Sequence, residues 1–537
     1  MNGSAERPDG SRRHQLGVSV AVFAVAVALQ IGLAKRQCLW ADELFSLAIA
    51  TGHSLEHPAA AAHPELGDFV EPDHAVPAEE FRRYLKHESP LENSTRVVRA
   101  VLLSDTSPPL YYVLLYGWTL VFGTSDVTLR LFSVVCSLAC FPLLVGLARR
   151  TGGRGAMIPA GFLFALSPLG IYYSTEARMY SLLWLCMLAT TWASLALHQR
   201  GRGIATYMFW VIASTAGFLT HYFFVFPWLA VVIYLTISPG KLKGWHLVVC
   251  TLVTAALILP WYANLPKSLG AWRITKDWLN WRPWHFNRLV ATLELVTQFF
   301  DGHAKYLWPS HRVSGVAALM LFGIIAVVMI WRLRVHLFRS RLALLWLPFA
   351  AACAGPLVFD LLRHTYTVAV PRYAIAALPS AYLLAALGLA CLEFRTRIFM
   401  LLLIALAWMP NVLSIYRQRS RNGEPFGDIG RAVSSSGTLS DLILVHSIPS
   451  GVLGIARYAN SPAAMASWVG QLRDHRVPES VQALAAGRRR IFFVKIHEVG
   501  GPAPDEDWLR GNAVVFQETR MGAADIVEFR PNKTETF

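Results

Sequence analysis

GVSVAVFAVAVALQIGLAKRQCLWADELFS occupies residues 17–46, and its two halves obey different physics. Gly17 to Ala34 carries no ionisable side chain and approaches the roughly 20 apolar residues that a helix needs to cross a hydrocarbon core. Lys35 and Arg36 end that run, and an acidic, aromatic stretch follows. Arg7, Arg12 and Arg13 precede it, as in a signal peptide, but no convincing small-residue cleavage site comes after it and many similar runs lie further on. It therefore reads as a retained first helix with a cytoplasmic N-terminus.

Apolar blocks recur near 130–148, 156–173, 179–197, 204–220, 222–238, 245–262, 311–331, 342–359, 372–392 and 396–413, which predicts eleven spans in all. Composition agrees: hydrophobic residues make up 54% of the 537 and charged residues only 15%, against roughly a quarter in soluble domains. The formal charge of +15 is thus not that of a soluble nucleic-acid binder, which would carry far more charged side chains. Nor do the seven cysteines suggest a disulfide framework, since all but Cys38 lie in apolar stretches, where a thiol behaves as a small hydrophobe.

Loop charge tests the topology. Arg149, Arg150 and Arg154, then Arg200 and Arg202, Lys241 and Lys243, Arg332, Arg334, Arg339 and Arg341, and finally Arg395 and Arg397 fall at every second connection. This is the pattern of the positive-inside rule, and an odd number of crossings puts the C-terminus outside. Three segments then lie on the outer side. The first, 35–129, holds an amphipathic pattern from Glu79 to Leu103 and a short apolar helix expected between Pro108 and Gly123. The second, 263–310, is rich in tryptophan (Trp272, Trp278, Trp281, Trp284, Trp308), a composition suited to headgroup-level anchoring. The third is the tail, 414–537, with strand-like runs DLILVH at 441–446 and RIFFVKI at 490–496 and a helix-like region around Ala459–Leu472. The expected architecture is a mainly α polytopic membrane domain, 1–413, followed by a small extracytoplasmic α/β domain.

Ionisable residues at membrane boundaries need a reason to be there. Asp42 and Glu43 adjoin an aromatic interface; neighbours on a helix point in different directions, so one faces a cavity while the other organises the loop, or both simply end the span. In Tyr172-Tyr173-Ser174-Thr175-Glu176-Ala177-Arg178-Met179-Tyr180, Glu176 and Arg178 are either a staple between helices or cavity residues. His221-Tyr222 and Arg372-Tyr373 mark two further outer boundaries, and an arginine there is suited to gripping a phosphate through paired charge-assisted hydrogen bonds. Lys267, Arg273 and Lys276 add positive charge on the same side, with snorkelling as their default explanation. No compact His/Cys/Asp cluster compels a metal, and none is assigned.

In order along the chain, WADELFS at 40–46, SPPLYYVLL at 107–115, the FG, LR and Ser133 pattern over 122–133, YYSTEARMYSLL at 172–183, THYF at 220–223 and PRY at 371–373 resemble the polytopic C-type glycosyltransferases (GT-C). Among these the similarity is to bacterial relatives of the protein O-mannosyltransferase and lipid A aminoarabinose transferase group (glycosyltransferase family 39-like), over about 1–413. The resemblance implies an inverting enzyme that moves a sugar from a polyprenyl monophosphate carrier to a lipid, glycan or protein hydroxyl on the extracytoplasmic face of a bacterial inner membrane. It implies Asp42 as the acceptor-activating base with Glu43 in support, Glu176 and Arg178 in the cavity, and Arg372 on the donor phosphate. Lys267 is a second cation for that phosphate, and His221, Tyr222 and Tyr373 are further polar or aromatic site candidates. A divalent metal is compatible with the resemblance but not required. Where many relatives have histidine before the first proline of their HPPLYY-like motif, this chain has Ser107, so that histidine's role does not transfer. The competing readings are a membrane transporter, or a noncatalytic subunit for lipid-linked glycan assembly. A transporter would show related halves with binding groups near the midplane, whereas the charges here gather at outer helix ends.

Overall fold

The computed structural model describes residues 9–88, 94–105, 107–200, 203–238, 240–270, 272–274, 287–302, 309, 311–337, 340–497, 503–532 and 537. Among them, seven helices are long and apolar enough to cross a membrane: Gln15–Ala34, Asp126–Gly152, Tyr180–Arg200, Gly244–Gly270, Arg312–Leu333, Ala343–Arg363 and Phe394–Arg417. The helices Arg154–Leu166 and Pro168–Ser174, bent by 63° at their junction, make an eighth if taken as one span. The bend follows from Pro168, which pushes Ser167 out of the helical region (ψ 123°), while the Ser167 hydroxyl caps the second piece by accepting from Gly170 N at 3.0 Å. The remaining three expected spans are also helical, as Ile204–Phe218, Tyr222–Ile237 and Ile375–Ala390, but are shorter than a full crossing.

The chain divides into two compact units. The first comprises Met1–Lys35, Arg130–Ala263 and Leu279–Arg417. Its Tyr180–Arg200 helix is almost wholly buried, with Trp184, Met187 and Leu188 inside, and Trp184 Nε1 donates to the Ile375 carbonyl at 2.8 Å. By contrast, Arg312–Leu333 turns Val313, Val316, Met320, Ile324, Val327 and Trp331 outward at helical spacing. Such a face costs free energy in water and none in lipid, which is as apolar as the side chains themselves.

The second unit comprises Arg36–Leu129, Asn264–Trp278 and Gln418–Phe537. Its core is a five-stranded sheet of β1 (Asp441–His446), β2 (Ala464–Trp468), β3 (Arg490–Lys495), β4 (Ala513–Met521) and β5 (Ala524–Pro531), in the order β2-β1-β3-β5-β4. β1 runs parallel to both β2 and β3, while β5 is antiparallel to β3 and β4. β1 and β3 are buried on both faces, as their unbroken apolar runs require. Leu442, Leu444, Trp468, Phe493, Leu509, Val527 and Phe529 fill one side. The segment 36–129 joins the sheet edge: Val76 and Met465 exchange backbone hydrogen bonds at 2.9 and 2.7 Å.

Two expectations change. The Ala459–Leu472 region is not a helix. Its Ala464–Trp468 piece pairs with β1, Leu442 opposite Ala464 through His446 opposite Trp468, so pairing overrides the helix preference of alanine and methionine; the helix is Pro449–Tyr458 instead. The Glu79–Leu103 pattern is also not one helix. Ala78–Arg82 passes through the turn Arg83–Leu85 to an extended Lys86, and a separate helix, Ser94–Ser104, buries Val97 and Val101. Pro90 lacks the amide proton that a through-running helix would use there. The expected helix after Pro109 is present as Leu110–Phe122 and ends at Gly123, whose φ of 82° suits a residue without Cβ.

Candidate active site

In the second unit, the acidic pair lies in the first turn of the helix Ala41–Ala50. Glu43 is fully buried and its Oε2 accepts from Trp40 N at 3.3 Å, tying the helix entry to its own third residue. Asp42 keeps partial exposure. The pair is thus divided as adjacent helical positions must be, one carboxylate turned inward and one accessible. The Trp40 indole is buried, and its N–H has no hydrogen-bond acceptor among the described residues. Sequence reasoning passed over Trp40 because an interfacial tryptophan is ordinarily an anchor.

Asp105 anchors the start of the next helix, accepting from Ser107 N at 3.0 Å and from the Tyr112 hydroxyl. Arg273 is not a snorkelling side chain. It is buried and donates to the carbonyls of Ser268, Leu102 and Asp105 and to the Ser268 hydroxyl at 2.6–3.2 Å, which closes the end of the Ser94–Ser104 helix. Lys267, on the helix Leu265–Gly270, is exposed. Lys276 and the tryptophans at 278, 281, 284 and 308 lie outside the described residues; Trp272 is exposed.

In the first unit, Glu176 and Arg178 occupy the break between the helices Pro168–Ser174 and Tyr180–Arg200, and both are buried. Arg178 N donates to the Glu176 carbonyl at 2.7 Å, and the Arg178 carbonyl accepts from Ser133 Oγ at 3.2 Å, so the turn is fixed through its backbone. Aromatic rings link it to the other candidates. Tyr173 lies 5.0 Å from Tyr180, Tyr180 lies 6.4 Å from His221, and His221 lies 6.4 Å from Tyr373 (ring centroids). The Arg372 guanidinium stands 5.6 Å from the centre of the Tyr373 ring. Tyr173 is close enough to both Glu176 and Arg372 to feel their charges. Glu176, Arg178, His221, Arg372 and Tyr373 are therefore brought into one neighbourhood. Tyr222 is turned away from it: its hydroxyl accepts from Trp261 Nε1 at 3.1 Å and its ring packs on Tyr262.

His221 Nδ1 accepts from Phe223 N at 3.1 Å, so in the neutral ring the proton sits on Nε2. That leaves His221 a donor rather than a base toward anything facing Nε2. Among the described residues no group of three or more His, Cys, Asp and Glu side chains converges as metal ligands would.

A residue missed in the sequence shapes the Arg372 segment. Asp360 is fully buried and accepts from Thr365 Oγ1 at 2.6 Å, Thr367 N at 2.8 Å, Thr367 Oγ1 at 2.7 Å and Val368 N at 3.0 Å. It thereby folds the turn that delivers Pro371-Arg372-Tyr373, and the Trp184 bond to Ile375 holds the other side. A carboxylate at the very end of an apolar run was a readable signal.

Residues 106–263 match the family described as Dolichyl-phosphate-mannose-protein mannosyltransferase. That match contains the 107–115, 172–183 and 220–223 motifs, while WADELFS and PRY lie outside it. No curated protein sequence matches the chain significantly. The fold is similar to the crystal structure of ArnT from Cupriavidus metallidurans in the apo state, with a TM-score of 0.60 at 14% identity over 96% of this chain and 98% of that one. It is equally similar to ArnT from the same organism bound to undecaprenyl phosphate, with a TM-score of 0.60 at 13% identity over 97% and 99%. The resemblance read from the motifs over about 1–413 and the fold similarity over nearly the whole chain agree: it is a polytopic membrane protein with the fold of the C-type glycosyltransferases.

Proposed function

We propose that the protein transfers a sugar from a polyprenyl monophosphate carrier to a hydroxyl of a lipid, glycan or protein on the extracytoplasmic face of a bacterial inner membrane. The family match and the fold shared with ArnT, one of whose structures holds undecaprenyl phosphate, support a lipid-carrier-dependent transfer. The observation that carries the assignment of the base is the division of the acidic pair: Asp42 alone keeps access while Glu43 is spent on the helix entry.

In the proposed reaction the acceptor oxygen attacks the anomeric carbon as the bond from that carbon to the phosphate oxygen breaks. The acceptor proton passes to Asp42, and the electron pair leaves on the polyprenyl phosphate. Arg372 offsets the charge developing on the phosphate, and Lys267 is a second cation for it. A phosphate leaving group needs no protonation, so no acid is required opposite the base, and a single displacement inverts the anomeric centre. Glu176, Arg178, His221 and Tyr373 are taken as further binding residues, as the resemblance implies, and Tyr222 as a support for that segment through its bond with Trp261. The indole N–H of Trp40, two residues before Asp42 and without an acceptor among the described residues, is a donor for a substrate oxygen.

The test is mass spectrometry of membrane lipids and surface glycans in cells with the gene intact, deleted, or restored as wild type or Asp42→Asn. One sugar-bearing species is expected to disappear on deletion and to return only with wild type. Its return with Asp42→Asn at equal protein level would remove Asp42 from the base role, and no change on deletion would overturn glycosyl transfer.

A further inference from the structure

Apart from the Glu43 bond back to Trp40 N, the helix that carries Asp42 starts without a side-chain cap from its own N-cap residue. Trp40 holds the N-cap position in extended geometry (φ −106°, ψ 174°), and an indole has no oxygen to accept the amides of the first turn. The first of those amides, and two more just ahead of the N-cap, are taken up from the other end of the chain. Ala41 N donates to Glu424 Oε2 at 2.7 Å, Leu39 N to the Tyr458 hydroxyl at 2.8 Å and Cys38 N to the Arg419 carbonyl at 3.0 Å. Gln37 Oε1 accepts from Arg421 Nε at 2.8 Å.

The acceptors are themselves held. Glu424 is buried, and its Oε1 lies 2.9 Å from His497 Nε2, just beyond β3, in a contact not aligned as a hydrogen bond. Tyr458 ends the helix Pro449–Tyr458, and its hydroxyl donates to Asp126 Oδ2. Arg457 binds the same carboxylate through Nε at 2.8 Å. Burial, reinforced by the Asp126 charge, pushes the Tyr458 phenol up, so it stays protonated and able to donate. Gly430 lets these helices close, since a Cβ there would lie 2.6 Å from the backbone of Tyr458.

We propose that the C-terminal region is the positioning scaffold of the Asp42 helix, with Glu424 its external cap and Tyr458 its second anchor. Both are positioning residues. The inference rests on the reading of Asp42 as the base, and it gives the tail a role in the reaction rather than in stability alone. A negative group at a helix start is also favoured by the helix dipole.

The test uses the full chain in lipid nanodiscs, with Glu424→Ala, Glu424→Gln and Tyr458→Phe beside wild type and Asp42→Asn. Hydrogen–deuterium exchange of residues 38–44 should quicken about five- to tenfold in Glu424→Ala, the loss of one net hydrogen bond, with the β1–β3 sheet protected as before. Glu424→Gln keeps an acceptor oxygen and should restore most of the protection. In cells, the sugar-bearing product should fall roughly ten- to a hundredfold with Glu424→Ala at equal protein level, as for a misplaced catalytic group. Undecaprenyl phosphate, used as the binding probe, should bind with unchanged affinity. Unchanged exchange in both Glu424→Ala and Tyr458→Phe overturns the scaffold. So does faster exchange with full product, in cells where Asp42→Asn makes none. Product made by Asp42→Asn removes the base and with it the role, whereas the exchange data still report separately on the brace. Tyr458→Phe keeps size and burial, so it answers if Glu424→Ala fails to fold.

Discussion

Replacing Asp360 by asparagine should loosen the turn before Arg372 and weaken the grip on donor phosphate. Oδ1 of Asp360 takes three donors and Oδ2 takes Val368 N at 3.0 Å, all inside a fully buried pocket. An asparagine can present its oxygen to only one side. The better orientation serves the three donors and sets its NH2 against Val368 N, leaving that amide unpaired at about 1–3 kcal/mol. Asp360→Ala leaves the amides of both Thr367 and Val368 without acceptors, so about twice that is expected. If the turn must re-form whenever phosphate binds, the asparagine penalty appears as a loss of affinity of up to roughly a hundredfold, since 1.4 kcal/mol is a factor of ten. The assay is equilibrium binding of undecaprenyl phosphate to purified protein in nanodiscs, with thermal unfolding measured on the same samples. A lowered melting temperature with unchanged affinity would show that the turn is structural and does not prepare Arg372. Unchanged values of both would refute the hydrogen-bond reasoning itself.

Arg372→Ala should weaken undecaprenyl phosphate binding while leaving the melting temperature within a degree or two, because the guanidinium is half-buried against Tyr373 rather than in a core; unchanged affinity would reject Arg372 as the phosphate ligand. Asp68 is a pH probe for the second unit. Burial alone would raise its pKa, but the paired bonds from Arg99 at 2.6 and 2.8 Å, with His63 N and Ser54 Oγ, hold it below the usual carboxylate range. A depressed carboxylate gives stability that is present above the unfolded value of about 3.9 and lost as pH falls through the folded value. Arg99→Met should therefore cost about 3 kcal/mol at neutral pH and move the acid unfolding midpoint upward; an unmoved midpoint would show that the pair does not govern acid stability. Leu439→Cys, at an 80% exposed site in the tail, should be labelled from outside intact cells by an impermeant thiol reagent in a background lacking Cys38 and Cys391. Labelling only after permeabilisation would reverse the proposed orientation.

The legible parts of this protein are those governed by local chemistry. An apolar run long enough to span hydrocarbon has almost no option but to be helical, because every backbone amide must be satisfied within the segment. So the helices were readable from hydropathy, their ends from Arg and Lys, and β1 and β3 from unbroken apolar runs. The same locality explains the failures. AMASW looks helical by propensity, and only the presence of β1 beside it makes it a strand. Arg273 looks like a snorkelling cation until the carbonyls of Leu102 and Asp105, far away in sequence, are placed around it.

By itself the sequence determined a polytopic helical membrane protein, the division of Asp42 from Glu43 by helical periodicity, and the motifs that resemble the C-type glycosyltransferases. Tertiary structure alone decided what holds those residues. Asp360 organises the PRY segment through a turn whose donors no periodicity encodes, and Glu424 caps a helix that begins 383 residues earlier in the chain. Hydropathy and helical period are properties of neighbours in sequence, but an orphan amide donates to whichever oxygen the fold brings to it, and that partner exists only once the chain has closed on itself.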